Sequence, residues 1–364
     1  MGPKISVNAR FLTQRLTGVQ RYAAEVLRRL PTVTLLSPSE PASVYRAVTD
    51  RHRLIIRTIR LGKLKIQGHP WEQLVLPFLL PNRGWLWSPG GSGPLSVTRQ
   101  IVTVHDVAHL EHPTWYNWKF AQFYRWLLPR LLKRIAYIIT VSEFSKNRII
   151  EWFRLPPDRV FVTPLGVGEI FFSPLSHRRI GDTLSRYNLK MPYFITVSAI
   201  SERKNLKRVL QAWEMANLNG VELVVVGARD LAFAGKTDIP SNPSVRYIGY
   251  VPDEDLVALY SGAMGALCLS LYEGFGLPAL EAMASGTPLL ASNVTAIPEV
   301  VGDAGLLVDP YDVEAIAWGI KALAEDQALR ENLRKKGLER AKHFSWQKTA
   351  ELTWALFERI VQAG

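Results

Sequence analysis

Along most of the chain, short apolar runs alternate with longer stretches in which apolar residues recur every three or four positions. A short, uniformly apolar run reads as a strand buried on both faces. The longer period reads as a helix with one apolar stripe. The first half predicts strands at 4–7, 54–58, 85–88, 101–104, 137–141 and 160–162, and helices at 20–29, 119–134 and 143–153. The second half predicts strands at 193–197, 221–227, 244–249, 266–270, 288–292 and 304–308. Between and after them, helices are expected at 205–217, 253–262, 278–284, 312–326, 327–343 and 345–361. This alternation gives parallel sheets with helices on both faces, so the fold class is α/β with two Rossmann-like units. Residues 31–100, rich in proline, glycine and arginine, are harder to read.

A length of 364 residues fits two units of roughly 150–200 residues each. The pattern breaks at Ser173-Pro174-Leu175-Ser176-His177-Arg178-Arg179, which puts the expected domains at 1–172 and 173–345. Charge separates the halves further. Residues 1–170 hold 24 Lys and Arg against 10 Asp and Glu, a net +14, whereas the rest hold 20 against 22, a net −2. A one-sided basic half points to an anionic partner: a membrane surface, a lipid diphosphate or nucleic acid. No nucleic-acid-binding motif accompanies the charge, which argues against the last. The lone Cys268 lies in an apolar run and reads as a small buried residue. A single thiol excludes an internal disulfide framework. The N-terminus runs straight into a strand pattern and no apolar stretch reaches about 18 residues. Together these features predict a cytoplasmic protein, or one peripheral at the inner face of the plasma membrane.

The most informative segment is Glu273-Gly274-Phe275-Gly276-Leu277-Pro278-Ala279-Leu280-Glu281. It follows the predicted strand 266–270, and Pro278 suits the first position of a helix, where its missing N–H costs nothing. Gly286 and Pro288 suit that helix's end. The glycines therefore form a turn between a strand's C-terminal end and a helix N-terminus, the place where open α/β sheets bind ligands. Glu273 falls on the loop and Glu281 within the helix's first turn. One carboxylate can accept hydrogen bonds from sugar hydroxyls and the other from a ribose diol.

This string, with Glu281-Ala282-Met283-Ala284-Ser285-Gly286-Thr287-Pro288 and Pro298-Glu299-Val300-Val301-Gly302-Asp303-Ala304-Gly305 after it, resembles the Glu-x7-Glu motif of retaining glycosyltransferases of family four, with the GT-B fold. The resemblance runs over roughly residues 100–350 and more weakly to the N-terminus. It implies two Rossmann-like domains facing across a cleft, with the final helix, 346–364, returning to the N-terminal domain. Gly274, Phe275, Gly276, Leu277 and Glu281 then contact a nucleotide-sugar donor. Ser201-Glu202-Arg203-Lys204-Asn205 opens a helix with two cations, an unfavourable placement unless an anion is bound there. Lys204 matches the family's diphosphate-binding lysine. The family's arginine just after the strand is replaced here by Ser198, and Arg203 can supply that second charge. The resemblance further implies that His105 meets a hydroxyl of the transferred sugar, that Gly18 offers its N–H to the β-phosphate, and that the backbone around Ile248 and Tyr250 frames the base. Guanine and uracil both remain open. Gly18 stands alone where the family carries a double glycine.

His105, His109 and His112 have a helical spacing for a metal, but Pro113 and the loop context speak against a helix, so no metal is expected. Nor is any cofactor, the donor being a GDP-sugar or UDP-sugar substrate. The family pattern implies retention through an oxocarbenium-like state, with Arg203, Lys204 and helix N-termini stabilising the departing diphosphate and Glu273 orienting the sugar. The expected acceptor is a glycan or a polyprenyl-diphosphate-linked sugar, and mannose is the favoured sugar. The aromatic-basic run 115–126 suits either a membrane interface or an amphipathic core helix. Rival readings are a sugar-nucleotide epimerase on the same fold and a non-catalytic nucleotide-sugar-binding protein. Oligomeric state is not legible.

Overall fold

The structure is a computed structural model that describes residues 5–61, 64–82, 84–197, 201–227 and 242–363. The chain divides into two compact units. Unit 1 comprises Met1–Val107, Gln122–Gly166 and Ser345–Gly364; unit 2 comprises Ala108–Ala121 and Val167–Phe344.

Unit 1 is built on strands β1 (Ile5–Asn8), β2 (Thr34–Ser37), β3 (Arg53–Ile56), a hairpin of β4 (Ile59–Leu61) and β5 (Leu64–Ile66), β6 (Trp85–Ser88), β7 (Gln100–Thr103), β8 (Tyr137–Thr140) and β9 (Val160–Val162). Seven strands form one parallel sheet in the order β3-β2-β1-β6-β7-β8-β9. Every residue of β1, β6 and β7 is buried, the polar Ser6, Asn8, Ser88, Gln100 and Thr103 among them. The final helix, Trp346–Ala363, packs into this unit. Trp87 meets Phe357 edge to face at 5.4 Å, and Thr349 donates to the Pro164 carbonyl at 2.6 Å. At Gly166 any Cβ would fall 2.0 Å from the backbone nitrogen of Trp346, so only glycine allows this approach.

Unit 2 carries β10 (Tyr193–Val197), β11 (Glu222–Val226), β12 (Val245–Gly249), β13 (Gly265–Cys268), β14 (Leu289–Ser292) and β15 (Leu306–Val308). They form a parallel sheet in the order β12-β11-β10-β13-β14-β15. Leu206, Val209, Leu210 and Trp213 cover one face from helix Leu206–Ala216, joined by Ile316, Ile320 and Leu323 from helix Val313–Glu325.

In both sheets the chain winds outward from the first strand in one direction and then resumes on that strand's other side. The crevices between β1 and β6, and between β10 and β13, are therefore topological switch points, where doubly wound sheets place ligands. Several features depart from the sequence reading. Strand β2 and the β4–β5 hairpin lie in the stretch that was harder to read, as does a helix at Gly68–Leu74. The segment read as a break instead starts a helix, His177–Arg186, capped by Ser176 accepting from the Arg179 N–H. A short helix at Ile297–Val301 was also unanticipated.

Candidate active site

The switch point of unit 2 gathers three of the anticipated residues into one ion cluster. Lys204 Nζ lies 2.5 Å from Glu273 Oε1, and Arg203 Nη1 lies 3.1 Å from Glu273 Oε2 and 2.9 Å from the Tyr272 carbonyl. The three side chains are only 10–14% exposed. Burial by itself would raise the Glu273 pKa, but Lys204 and Arg203 outweigh it and hold the carboxyl at about 2. Glu273 is thus ionised at any physiological pH, and the cluster carries a net charge of +1.

Local folding explains the placement. The turn after β10 ends at Asn205, whose φ of 58° is tolerated best by asparagine among non-glycine residues. Its amide donates to the carbonyls of Leu269, 3.1 Å away, and Pro310, 2.7 Å away, tying this turn to the loop after β13. The Leu271 N–H adds a bond to the Arg203 carbonyl at 2.9 Å. On the other side, the Glu273 N–H donates to Thr295 Oγ1 at 3.2 Å. Thr295 has a φ of 60°, a left-handed conformation that is costly for a β-branched residue.

Gly276 precedes helix Leu277–Ala284 with a φ of 106°, and a Cβ there would fall 2.5 Å from Ile297 Cδ1. Helix N-terminus, Lys204 and Glu273 border one small pocket together with Ser270. Buried Phe275 packs edge to face on Phe344 at 5.7 Å, so what it can turn to a ligand is its backbone. Gly274 is buried and Leu277 half-buried. Because the helix starts at Leu277, Glu281 is its fifth residue, beyond the first turn where the sequence reading had put it. Its buried carboxylate adds to the effect of burial in pushing the Tyr260 hydroxyl well above its usual pKa.

Ile248 and Tyr250 sit apart, at the end of edge strand β12, and Tyr250 is 61% exposed. Ser198 lies outside the described residues. Gly18 and His105 belong to unit 1: Gly18 is the exposed first residue of helix Gly18–Leu27, and His105 follows β7. His105 is half-buried; its Nε2 faces the Pro89 carbonyl at 3.3 Å, and its ring meets Tyr22 edge to face at 4.9 Å. Burial lowers its pKa, against the opposing pull of Pro89 and Asp106, so the ring is neutral. A neutral ring donating from Nε2 keeps Nδ1 as an acceptor. His109 packs near Tyr116 and Phe120, while His112 stacks on Trp115 at 3.9 Å. Among the described residues, no three His, Cys, Asp or Glu side chains are grouped to hold a metal ion. Cys268 is buried, and burial pushes its thiol up to about 12, which makes it inert.

Two features escaped the sequence. Thr295 carries no local signal. The string Ser88-Pro89-Gly90-Gly91-Ser92-Gly93, just after β6 in unit 1, does carry one: glycines in a turn at a strand's C-terminal end.

Two doubly wound parallel sheets, the second with a cation-framed carboxylate at its switch point, match the pair of Rossmann-like units of the GT-B class. The comparisons with known proteins narrow the class. Residues 185–340 match the model of glycosyl transferases group 1, and residues 16–168 match that of glycosyltransferase family 4. O-antigen chain mannosyltransferase B of Escherichia coli is 33% identical over 364 aligned residues, covering 91% of this chain and 93% of that protein. The chain belongs to the group 1 glycosyltransferases. Among solved structures, sucrose-phosphate synthase of Thermosynechococcus elongatus superposes with a TM-score of 0.73 at 19% identity over 100% of both chains. HepE of Anabaena, solved with UDP and glucose, gives a TM-score of 0.73 at 14% identity over 97% of this chain and 99% of that one. These two likenesses concern the fold. No described helix is long and apolar enough to cross a membrane.

Proposed function

We propose that the chain transfers mannose from a nucleoside diphosphate donor, GDP-mannose, to a glycan or polyprenyl-diphosphate-linked acceptor in polysaccharide assembly, with retention and without a metal ion or cofactor. The observation that carries this reading is the Arg203–Lys204–Glu273 cluster. Its surplus positive charge suits an anion, and it adjoins the helix N-terminus at Leu277, a second source of anion-binding N–H groups. The mannosyl transfer named for the Escherichia coli relative supports the choice of sugar.

The chemistry follows from the charges. A carboxylate at about pKa 2, held by two cations, is a weak base and a weak nucleophile. Glu273 is therefore suited to orient the sugar and to offset positive charge growing at its ring. The acceptor's proton goes instead to the departing diphosphate, whose phosphate oxygens are more basic, with a second ionisation near about 6. Lys204 has three donors and can serve Glu273 and a phosphate oxygen at once. Glu281 is assigned the ribose diol, Gly18 a phosphate oxygen, the Ile248–Tyr250 backbone the base, and His105 Nδ1 a hydroxyl of the transferred sugar. The basic first half, with exposed Trp126 beside Arg125 and Arg130, suits contact with an anionic membrane face.

Thermal shift against GDP-mannose, GDP-glucose, UDP-mannose and UDP-glucose tests the donor. Stabilisation by GDP-mannose alone is expected; stabilisation by a UDP-sugar only would refute the base assignment. Anomeric proton couplings of the product test retention, and undiminished turnover in EDTA tests metal independence. Release of an epimerised sugar without any acceptor would favour the epimerase reading. Flotation with anionic and neutral liposomes tests the membrane contact.

A further inference from the structure

A second polar cluster occupies the switch point of unit 1. Glu72, on helix Gly68–Leu74, is completely buried yet ionised, its pKa held down by donors despite the opposing effect of burial. Oε2 accepts from Asn8 Nδ2 at 2.7 Å and Ser92 Oγ at 3.0 Å, and lies 3.3 Å from Arg10 Nε. Oε1 lies 3.2 Å from His69 Nδ1. Arg10 Nη2 in turn donates to Ser92 Oγ at 3.0 Å. Asn8 ends β1, and Ser92 lies in the glycine turn after β6.

Burying a carboxylate costs several kcal/mol before its partners repay it, and well-packed apolar residues would tie the same loops together at least as well. Three observations suggest what the cluster is for. An ionised carboxylate only accepts, so His69 donates from Nδ1, and its Nε2, on the far edge of the ring, is left for another partner. The His69 side chain is 27% exposed while Glu72 is not exposed at all, so the ring links the buried charge to solvent. A Cβ built on Gly90 or Gly91 would meet nothing within 4 Å, so the part of the turn just before buried Ser92 faces open space.

We propose that this cluster is a subsite for a sugar ring of the glycan acceptor, with His69 Nε2 hydrogen-bonded to one ring hydroxyl and Glu72 as the positioning residue that fixes the imidazole. The proposal rests on the glycosyl-transfer reading above. Glu72 and Arg10 are opposite charges paired 3.3 Å apart, and the hydroxyl and amide groups around them suit a polyol. The Phe123 and Tyr124 rings, 4.4 and 5.8 Å from the imidazole, supply the apolar wall that a pyranose C–H face prefers.

The test uses the full chain, GDP-mannose and an α-mannose-terminated trisaccharide. His69→Ala is expected to raise KM for the trisaccharide about tenfold while kcat at saturating trisaccharide falls less than about threefold. His69→Gln, which can still donate to Glu72 and accept a hydroxyl, should recover part of the loss. Glu72→Gln should mimic His69→Ala. Saturation-transfer NMR with the trisaccharide alone gives a reading that needs no turnover: its signal should fade in His69→Ala. An unchanged KM and unchanged NMR signal in a folded His69→Ala protein would overturn the subsite. So would a drop in kcat with KM unmoved. Absence of any GDP-mannose turnover in the unaltered chain would instead count against the transfer reading, and the NMR arm would still decide this one.

Discussion

The two units place a buried carboxylate at the same topological position, the crevice beside the first strand, yet surround it differently. Glu273 is met by two cations, Glu72 by one cation, an imidazole, an amide and a hydroxyl. In the first cluster two cations share one carboxylate; in the second Arg10 and Glu72 pair one to one among neutral hydrogen-bonding groups. On the readings proposed above, equal topology serves different ligands: an anion drawn by charge, or a polyol held by directional hydrogen bonds. The sheet fixes where a ligand sits, and a few side chains fix its chemistry.

The contrast is easiest to break at its charged end. Glu273→Gln and Lys204→Ala should each lower kcat/KM by about a hundredfold or more, measured as initial rates of mannosyl transfer. Near-normal rates in both would remove the unit 2 site. Gly276→Ala, which forces a left-handed φ on alanine and a clash with Ile297, should weaken donor binding by about tenfold and lower the melting temperature. Calorimetric titration with the donor nucleotide reads the first effect and a thermal melt the second.

His105→Ala should cost about tenfold in kcat. Because burial lowers the His105 pKa, its neutral form persists below the ordinary imidazole range. The rate should therefore stay flat as pH falls to about 6.5 and drop only below it. A fall centred above that value, absent in His105→Ala, would contradict the assignment. A separate readout is stability against pH. Glu273, with its pKa depressed to about 2, stabilises the fold fully above about pH 4.5, and that contribution disappears as pH falls toward 2. The difference in unfolding free energy between the unaltered protein and Glu273→Gln, on the order of 3 kcal/mol at neutral pH, should close over that window, as read from denaturant melts.

The sheets were legible because parallel strands buried on both faces must be apolar throughout, and such runs stand out. Strand β2, Thr-Leu-Leu-Ser, sits among prolines and is too short to announce itself. Helix His177–Arg186 is mostly polar on its surface and buries only Thr183 and Leu184, so its apolar period is faint. The Glu273–Glu281 string could be read because its residues are contiguous. The unit 1 cluster could not, because Asn8, Arg10, His69, Glu72 and Ser92 are scattered along the chain and each alone reads as an ordinary loop or helix polar residue. Thr295 is harder still, since nothing in a sequence warns that a β-branched residue will take a positive φ.

The placement of the last helix has a consequence for synthesis. Residues Ser345–Gly364 complete unit 1, although the whole of unit 2 is made before them. On a ribosome adding about 5–20 residues per second, the amino-terminal sheet must wait with Trp87 lacking its aromatic neighbour Phe357 while the later sheet can already assemble. Biogenesis is thus inverted relative to chain order. A nascent polypeptide released early would retain a finished unit 2 and an unsealed unit 1, an obvious substrate for chaperones and proteases.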